Sequence, residues 1–341
     1  MGACLSLTGR YARFGIQAEQ ALGLWRELAG DGVALTVADD RSNSATLAAA
    51  LPVVAGRCDL LLGPYSTGLM RVAGRLAAER GWLLWNHGGA GDDVQAAHPG
   101  HLVSILTPAS RYAEPFVRHL ARAGTGVRLW IAPGRGGFGR QVAAGAEAAA
   151  RRFGLDPARL DHVAGSGGPP EDEPWDLFCA GSFEEDVDLI RRFRSARRPP
   201  RVVGAIAAGV REFGISGLDP AGVYGVGQWF PGQPGARDPA IGPPEDEFLV
   251  AYTARYGVWP DYPAVQAVAA AALATHCLNQ ADHADGALWQ AALDLDTSTL
   301  FGGFRIRPPD GGQIGHDPVL VRWTGAAPML VTPGDALSPA D

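Results

Sequence analysis

Ser66 and Thr67, followed one helix and one strand later by His87-Gly88-Gly89-Ala90, are the residues best placed to hold a ligand. Both runs lie within Asp59–Gly91, which reads as buried strand, tight polar turn, helix, second buried strand and glycine-rich turn. Both turns follow the carboxyl ends of strands, the edge at which open parallel sheets bind ligands. Either Ser66 or Thr67 can cap the helix between the strands. The start of that helix offers free backbone N–H groups and a positive dipole end, which suit an anion or a carbonyl.

Other chemistry is less well supported. Gly134-Arg135-Gly136-Gly137-Phe138-Gly139 has the GxGxxG spacing between a strand and a helix that a dinucleotide site requires. The next strand, near Leu160–Val163, ends in Ala164-Gly165-Ser166, with no carboxylate for a ribose. A glycine turn presenting Phe138 at a cleft edge is therefore the better reading. His87, Asp92, Asp93, His98 and His101 are close in sequence, but glycines splay them and Asp92-Asp93 suit a helix start. Capping and surface solvation are preferred over a metal. There is no GxSxG elbow and no cysteine in a context suggesting a base partner. His87 is the one catalytic candidate, and a lone histidine beside a turn is more often a hydrogen-bonding residue. No cofactor is implied. Tyr11, Phe14, Tyr65, Phe138, Phe183 and Trp229 recur at strand-end turns. Several aromatic side chains on one sheet edge suit a ligand with an apolar body and one polar end.

The elements that position these residues alternate from the start. Strands are expected at Gly2–Leu7, Val33–Ala38, Leu60–Leu62, Trp82–Trp85 and His101–Leu106. Helices are expected at Ile16–Leu28, at Ala45–Ala55 with Pro52 bending or interrupting it, and after Thr67. Such alternation implies a parallel sheet with helices on both faces. The pattern restarts near Tyr112 and runs to a strand at Val223–Val226, with a loop and no helix between Gly165 and Pro174. A Gly/Pro-rich linker, Pro231–Pro244, precedes helices at Glu245–Tyr256, Pro263–Gln280 and Gly286–Leu293, then strands at Leu300–Ile306 and Val319–Trp323. The fold class is α/β: two doubly wound parallel-sheet lobes joined by a multi-crossing hinge, with ligands in the cleft between lobes. Lobe one is assigned 1–108 plus 231–300, and lobe two 109–230 plus 301–341.

Composition agrees. With 341 residues and 47% apolar content, two cores of ordinary size are affordable. A net charge of -7 argues against a nucleic-acid partner. All 29 basic residues are arginine, which excludes lysine chemistry. Cys4, Cys58, Cys179 and Cys277 are scattered; buried free thiols are the default reading, and a disulfide stays open. No apolar run is long enough to insert in a membrane. No secretory signal stands before the first strand, so a trimmed export protein, a cytoplasmic protein and a piece of a longer chain all stay open.

Several segments together resemble the leucine/isoleucine/valine-binding family of type I periplasmic binding proteins, which serve ABC importers. Leu7-Thr8-Gly9-Arg10 with Phe14-Gly15 is similar to the family's opening "LSGP…YG", and Leu62-Gly63-Pro64-Tyr65-Ser66-Thr67 to "GPxSS". The Gly88-Gly89-Ala90 turn, Phe138-Gly139, the run Phe248, Tyr252, Tyr256-Gly257, Pro260, and Gly302-Gly303-Phe304 continue it in order. The resemblance implies a non-enzymatic solute-binding protein that closes on its ligand and delivers it to a membrane permease. It also implies a periplasmic or extracellular place, though a cytoplasmic one stays open. The candidate ligand-binding residues, from the residues and the resemblance together, are Arg10, Phe14, Tyr65, Ser66, Thr67, His87, Gly88, Gly89, Ala90, Phe138, Ser182, Phe183 and Ala207. One departure matters. Amino-acid binders of the family carry an acid after the strand matching Arg201–Ile206, where this chain has Gly204-Ala205-Ile206-Ala207-Ala208. A buried ammonium without a partner is costly. The expected ligand is therefore a carboxylate, amide or amino-acid-like molecule with an apolar or aromatic body and no obligatory ammonium. A ligand-sensing regulatory domain and, more remotely, an enzyme using the same cleft are the alternatives.

Overall fold

The computed structural model describes every residue except 31, 161–168, 170–172, 282–285, 309 and 338–341. The chain divides into two compact units, residues 1–108 with 231–317 and residues 109–230 with 318–341.

The first unit is built on strands β1 (Gly2–Leu5), β2 (Thr36–Asp39), β3 (Leu61–Leu62), β4 (Leu84–Asn86) and β5 (Leu102–Ser104). They form one parallel sheet in the order β2-β1-β3-β4-β5. Helices α1 (Ala12–Ala29), α2 (Ser44–Ala55), α3 (Thr67–Arg80) and α4 (Asp92–Gln95) connect them. Strands covered on both faces read as unbroken apolar runs, as Gly2–Leu5 does. One face carries Cys4, Leu61, Leu84 and Leu102 against Leu47, Leu51, Leu69 and Met70 of α2 and α3. Pro52 does not interrupt α2. It lies in the last turn, where the missing N–H removes a single intrahelical bond. Asn43 starts the helix by accepting from the Ala45 and Thr46 N–H groups at 2.8 and 3.1 Å.

The second unit contains α5 (Glu114–Arg122), β6 (Arg128–Pro133), α6 (Gly137–Arg152), β7 (Pro157–Arg159), β8 (Trp175–Ala180), α7 (Phe183–Arg194), β9 (Val203–Ala205) and β10 (Tyr224–Gly227). Its parallel strands run β7-β6-β8-β9-β10, the same second-first-third-fourth-fifth order as in unit one. In each unit the order reverses between the first and third strands, β1/β3 and β6/β8. Loops leaving opposite ways at that point open a crevice at the carboxyl edge.

Two expectations change. The final stretch, after helices α8 (Glu245–Tyr256), α9 (Tyr262–Gln280) and α10 (Ala287–Leu293), holds five strands rather than two: β11 (Asp296–Thr299), β12 (Gly302–Arg307), β13 (Gly312–Gln313), β14 (Val319–Thr324) and β15 (Ala327–Leu330). All pair antiparallel: β11, β12 and β13 make a separate sheet, and β14 and β15 edge the second unit's sheet beside β10. Residues 301–317 also lie in the first unit, not with lobe two. Hairpin pairing explains this: β12 is bound on both sides by β11 and β13, so the three travel together. The strand expected to Val163 and the loop after it fall mostly outside the described residues.

The chain passes between units after residues 108, 230 and 317. On the first-unit side the three passages are tied at His316, which is buried. Thr107 Oγ1 lies 2.7 Å from His316 Nδ1 and donates to the His316 carbonyl at 3.0 Å. His316 Nε2 donates to the Phe301 carbonyl at 3.0 Å, and Gln233 Nε2 donates to the same carbonyl at 2.7 Å. The imidazole stacks on the Phe301 ring at 4.3 Å. Removing one member leaves buried polar partners unmatched. His316→Ala is expected to lose about 2–4 kcal/mol in urea unfolding. Thr107→Val and His316→Ala should couple by about 1 kcal/mol or more in a double-mutant cycle.

Candidate functional site

In the first unit, the turns after β3 and β4 meet through their backbones. The Ser66 N–H donates to the Gly88 carbonyl at 2.8 Å. Such an approach needs glycine, since a Cβ on Gly88 would stand 2.4 Å from the Pro64 carbonyl oxygen. Ser66 itself sits at φ +90°, a conformation unusual for a residue with a side chain. Its hydroxyl accepts from the Leu69 N–H at 3.3 Å, capping α3. Thr67 is buried, and its Oγ1 accepts from the Gly91 N–H at 3.1 Å. Of the first-turn N–H groups of α3, those of Thr67 and Gly68 have no acceptor among the described residues, and Gly68 is exposed.

The glycine turn is held by Asn86, a residue the sequence reading passed over. Its Oδ1 accepts from the Gly88 and Gly89 N–H groups at 3.1 and 2.8 Å. Its Nδ2 donates to the Gly89 carbonyl and to Ser104 Oγ, both at 2.8 Å. The N–H groups of Gly88 and Gly89 are thus consumed internally. Ala90 is buried beside them. An asparagine opening a His-Gly-Gly turn is the sequence signal that could have identified this arrangement.

Next to these turns stands an aromatic wall. Phe14 stacks on Tyr65 with ring centres 4.3 Å apart, and Tyr11 tilts against Tyr65 at 6.2 Å. The Tyr65 hydroxyl meets the Tyr262 hydroxyl of α9 at 2.5 Å. The guanidinium groups of Arg10 and Arg13 each lie 4.7 Å from the ring centre of the following residue, Tyr11 and Phe14. The β1 and β2 turns are pinned by Asp39, which accepts from the Leu7, Thr8 and Arg41 N–H groups at 3.0, 3.2 and 2.8 Å. Burial is slight and opposes ionisation; the Thr8 hydroxyl and these N–H groups outweigh it and hold the Asp39 carboxyl below its ordinary range.

His87 is fully buried, and neither ring nitrogen has a hydrogen bond of normal geometry. Burial pushes its pKa down to about 4, although weak backbone contacts with Gly63 and its own main chain oppose the shift. It is a neutral interior residue at physiological pH, not a proton carrier at a surface.

In the second unit, Phe138 stands half-buried at the start of α6, edge-on to Tyr112 at 5.4 Å. The GxGxxG glycines serve packing: a Cβ on Gly139 would stand 2.3 Å from the Ala180 carbonyl oxygen, and one on Gly134 would stand 2.6 Å from Gly181 Cα. Ser182 forms a capping box with Glu185 at the head of α7. Phe183 packs partly buried against that unit's core. Glu185 Oε2 accepts from the Ser182 N–H at 2.8 Å and Oε1 from the Arg135 N–H at 3.3 Å. Asp186, fully buried, accepts from the Gly181 N–H at 2.7 Å and the Ala207 N–H at 3.0 Å. Adjacent acids therefore tie together the turns after β6, β8 and β9.

Among the described residues, no group of three or more His, Cys, Asp or Glu is placed to hold a metal, and no helix is long and apolar enough to cross a membrane. The four cysteines are free.

No family model and no curated protein sequence matches the chain. Solved structures do. A leucine-binding protein of Thermotoga maritima is similar over 97% of both chains, at 14% identity and a TM-score of 0.78. An ABC transporter substrate-binding protein of Desulfitobacterium hafniense, in complex with leucine, is 18% identical over 97% of this chain and 99% of its own, with a TM-score of 0.76. An ABC transporter solute-binding protein of R. palustris, in complex with benzoate, is 14% identical over 100% of this chain and 96% of its own, with a TM-score of 0.72. Two α/β units of this strand order define a fold class. The chain has the type I periplasmic binding protein fold.

Asn86→Ala strands two N–H groups, a carbonyl and a hydroxyl, and is expected to cost about 3 kcal/mol or more in urea unfolding. His87 has a second signature. Unfolded, it takes a proton near its ordinary pKa; folded, only near pH 4. Stability is therefore complete above the unfolded value and declines as pH falls from about 6.5 toward 4. Relative to His87→Leu, the wild type should lose up to about 3 kcal/mol across that window, measured by urea midpoints at stepped pH.

Proposed function

We propose that this chain is a solute-binding protein that captures a small organic ligand at the strand-end turns of its units and passes it to an ABC permease, in the periplasm or outside the cell. The reading is non-enzymatic. The observation that carries it is the pairing, in unit one, of the two open N–H groups at Thr67 and Gly68 with the Phe14–Tyr65 stack. N–H groups at a helix start favour a carboxylate or carbonyl, and stacked rings favour an aromatic or apolar body. Arg10 adds a positive charge on the same sheet edge. Ser66, Thr67 and Ala90 would frame the polar end of the ligand. Gly88 and Gly89 would shape that corner rather than donate to it, and His87 would support it from behind. On unit two, Phe138 would add an apolar surface, while Ser182, Phe183 and Ala207 would form the supporting edge.

The ligand needs no ammonium group. On the second unit's turns, Glu185 and Asp186 are spent on backbone N–H groups. Structures of this fold hold leucine in one case and benzoate in another, so the architecture serves ligands with and without an ammonium group.

A thermal-shift and calorimetric comparison of benzoate with leucine tests the proposal. Benzoate should raise the melting temperature by mass action and leucine should not. Tyr65→Phe should retain benzoate binding, whereas Tyr65→Ala should weaken it roughly tenfold through loss of the ring. Tight leucine binding together with no response to any carboxylate or amide would overturn this reading of the ligand.

A further inference from the structure

The Asp186 carboxyl stands out among the acids of the described residues. It is buried, accepts the Gly181 N–H on Oδ1 and the Ala207 N–H on Oδ2, feels a weaker contribution from the Ile206 N–H, and has no cationic partner among the described residues. Asp39 also collects backbone N–H groups, yet it lies near the surface, where water supports its charge. Asp186 has no such support.

Its surroundings reinforce the difference. From its own helix it faces Glu185, held ionised by the Ser182 and Arg135 N–H groups and by the Arg135 guanidinium at 3.8 Å. From β8 it faces the Cys179 thiol, which burial keeps protonated. The segment 206–210 after β9 carries no titratable side chain. Arg135 is engaged with Glu185.

We infer that Asp186 is a proton-gated positioning residue for the turn after β9. The ionised carboxylate accepts two charge-assisted N–H bonds and clamps Gly181 and Ala207 to the head of α7. A proton must settle on one oxygen. Oδ2, with the longer bond, is the better site, so protonation weakens the hold on Ala207 first while Gly181 stays bound to Oδ1. Burial, the largest influence, and the Glu185 charge raise the carboxyl to about 7 despite the N–H groups that oppose them, which sets the exchange near physiological pH. The functional meaning rests on the solute-binding reading, because the β9 turn belongs to the proposed unit-two ligand edge.

The experiment is an NMR titration of the ligand-free protein from pH 5 to 9. It follows the Asp186 side-chain carboxyl carbon and the Gly181 and Ala207 amides. All three should share one midpoint between pH 6 and 8, with Ala207 amide exchange speeding up several-fold below it. Glu185→Gln should lower the midpoint, and Asp186→Asn should abolish it. A carboxyl carbon that does not titrate between pH 6 and 8 overturns the inference, and this needs only the wild type should Asp186→Asn fail to fold. An Ala207 amide indifferent to the carboxyl titration also overturns it. A parallel benzoate titration by calorimetry separates the two readings. If benzoate binds, its affinity should fall below the midpoint in wild type and not in Asp186→Asn. If it does not bind, benzoate is not a ligand of this chain, while the NMR result still decides the role of Asp186.

Discussion

Backbone N–H groups at the ends of parallel strands must find acceptors, and in this protein side chains supply them. A turn that leaves a sheet loses the ladder that satisfied its main chain, and an unpaired buried N–H is expensive. Asn86 answers this for the glycine turn after β4, Asp39 for the turns after β1 and β2, and Glu185 with Asp186 for the turns after β6, β8 and β9. Each unit thus carries preformed turns at its sheet edge.

The same constraint selects which groups a ligand can use. Donors consumed by Asn86 and Asp186 are unavailable, however well placed their residues are in sequence. What is left over in unit one is the start of α3, where the Ser66 hydroxyl caps only Leu69. The strained backbone of Ser66 sits at this junction. It is held there by the Gly88 carbonyl on one side and the helix on the other, an instance of strain retained where surrounding structure over-determines it. Burial then separates acids of similar bonding. Asp39 lies near the surface and its donors hold it ionised, while burial pushes the Asp186 carboxyl up.

Much of the architecture was legible because it follows from local periodicity. Alternating apolar runs and amphipathic stretches implied parallel sheets, and the glycine and proline punctuation located the strand-end turns. The antiparallel strands β11, β13 and β15 were not legible. They are short, and what makes them strands is a partner across a hairpin rather than their own sequence. That pairing also carries residues 301–317 into the first unit.

For the site, residue types determined by themselves that polar, glycine-bearing turns follow β3 and β4, that aromatic side chains gather at strand ends, and that no acid directly follows the strand at 203–205. Which donors are open was decided only in three dimensions. Gly88 and Gly89 look like an anion cradle in sequence, yet Asn86 fills it. The segment after β9 looks devoid of carboxylate, yet Asp186 reaches Ala207 from a helix that precedes that strand in the chain. The reason is physical. Propensity and pattern act over a few residues, whereas satisfaction of a buried hydrogen bond depends on whatever atom the fold brings within 3 Å.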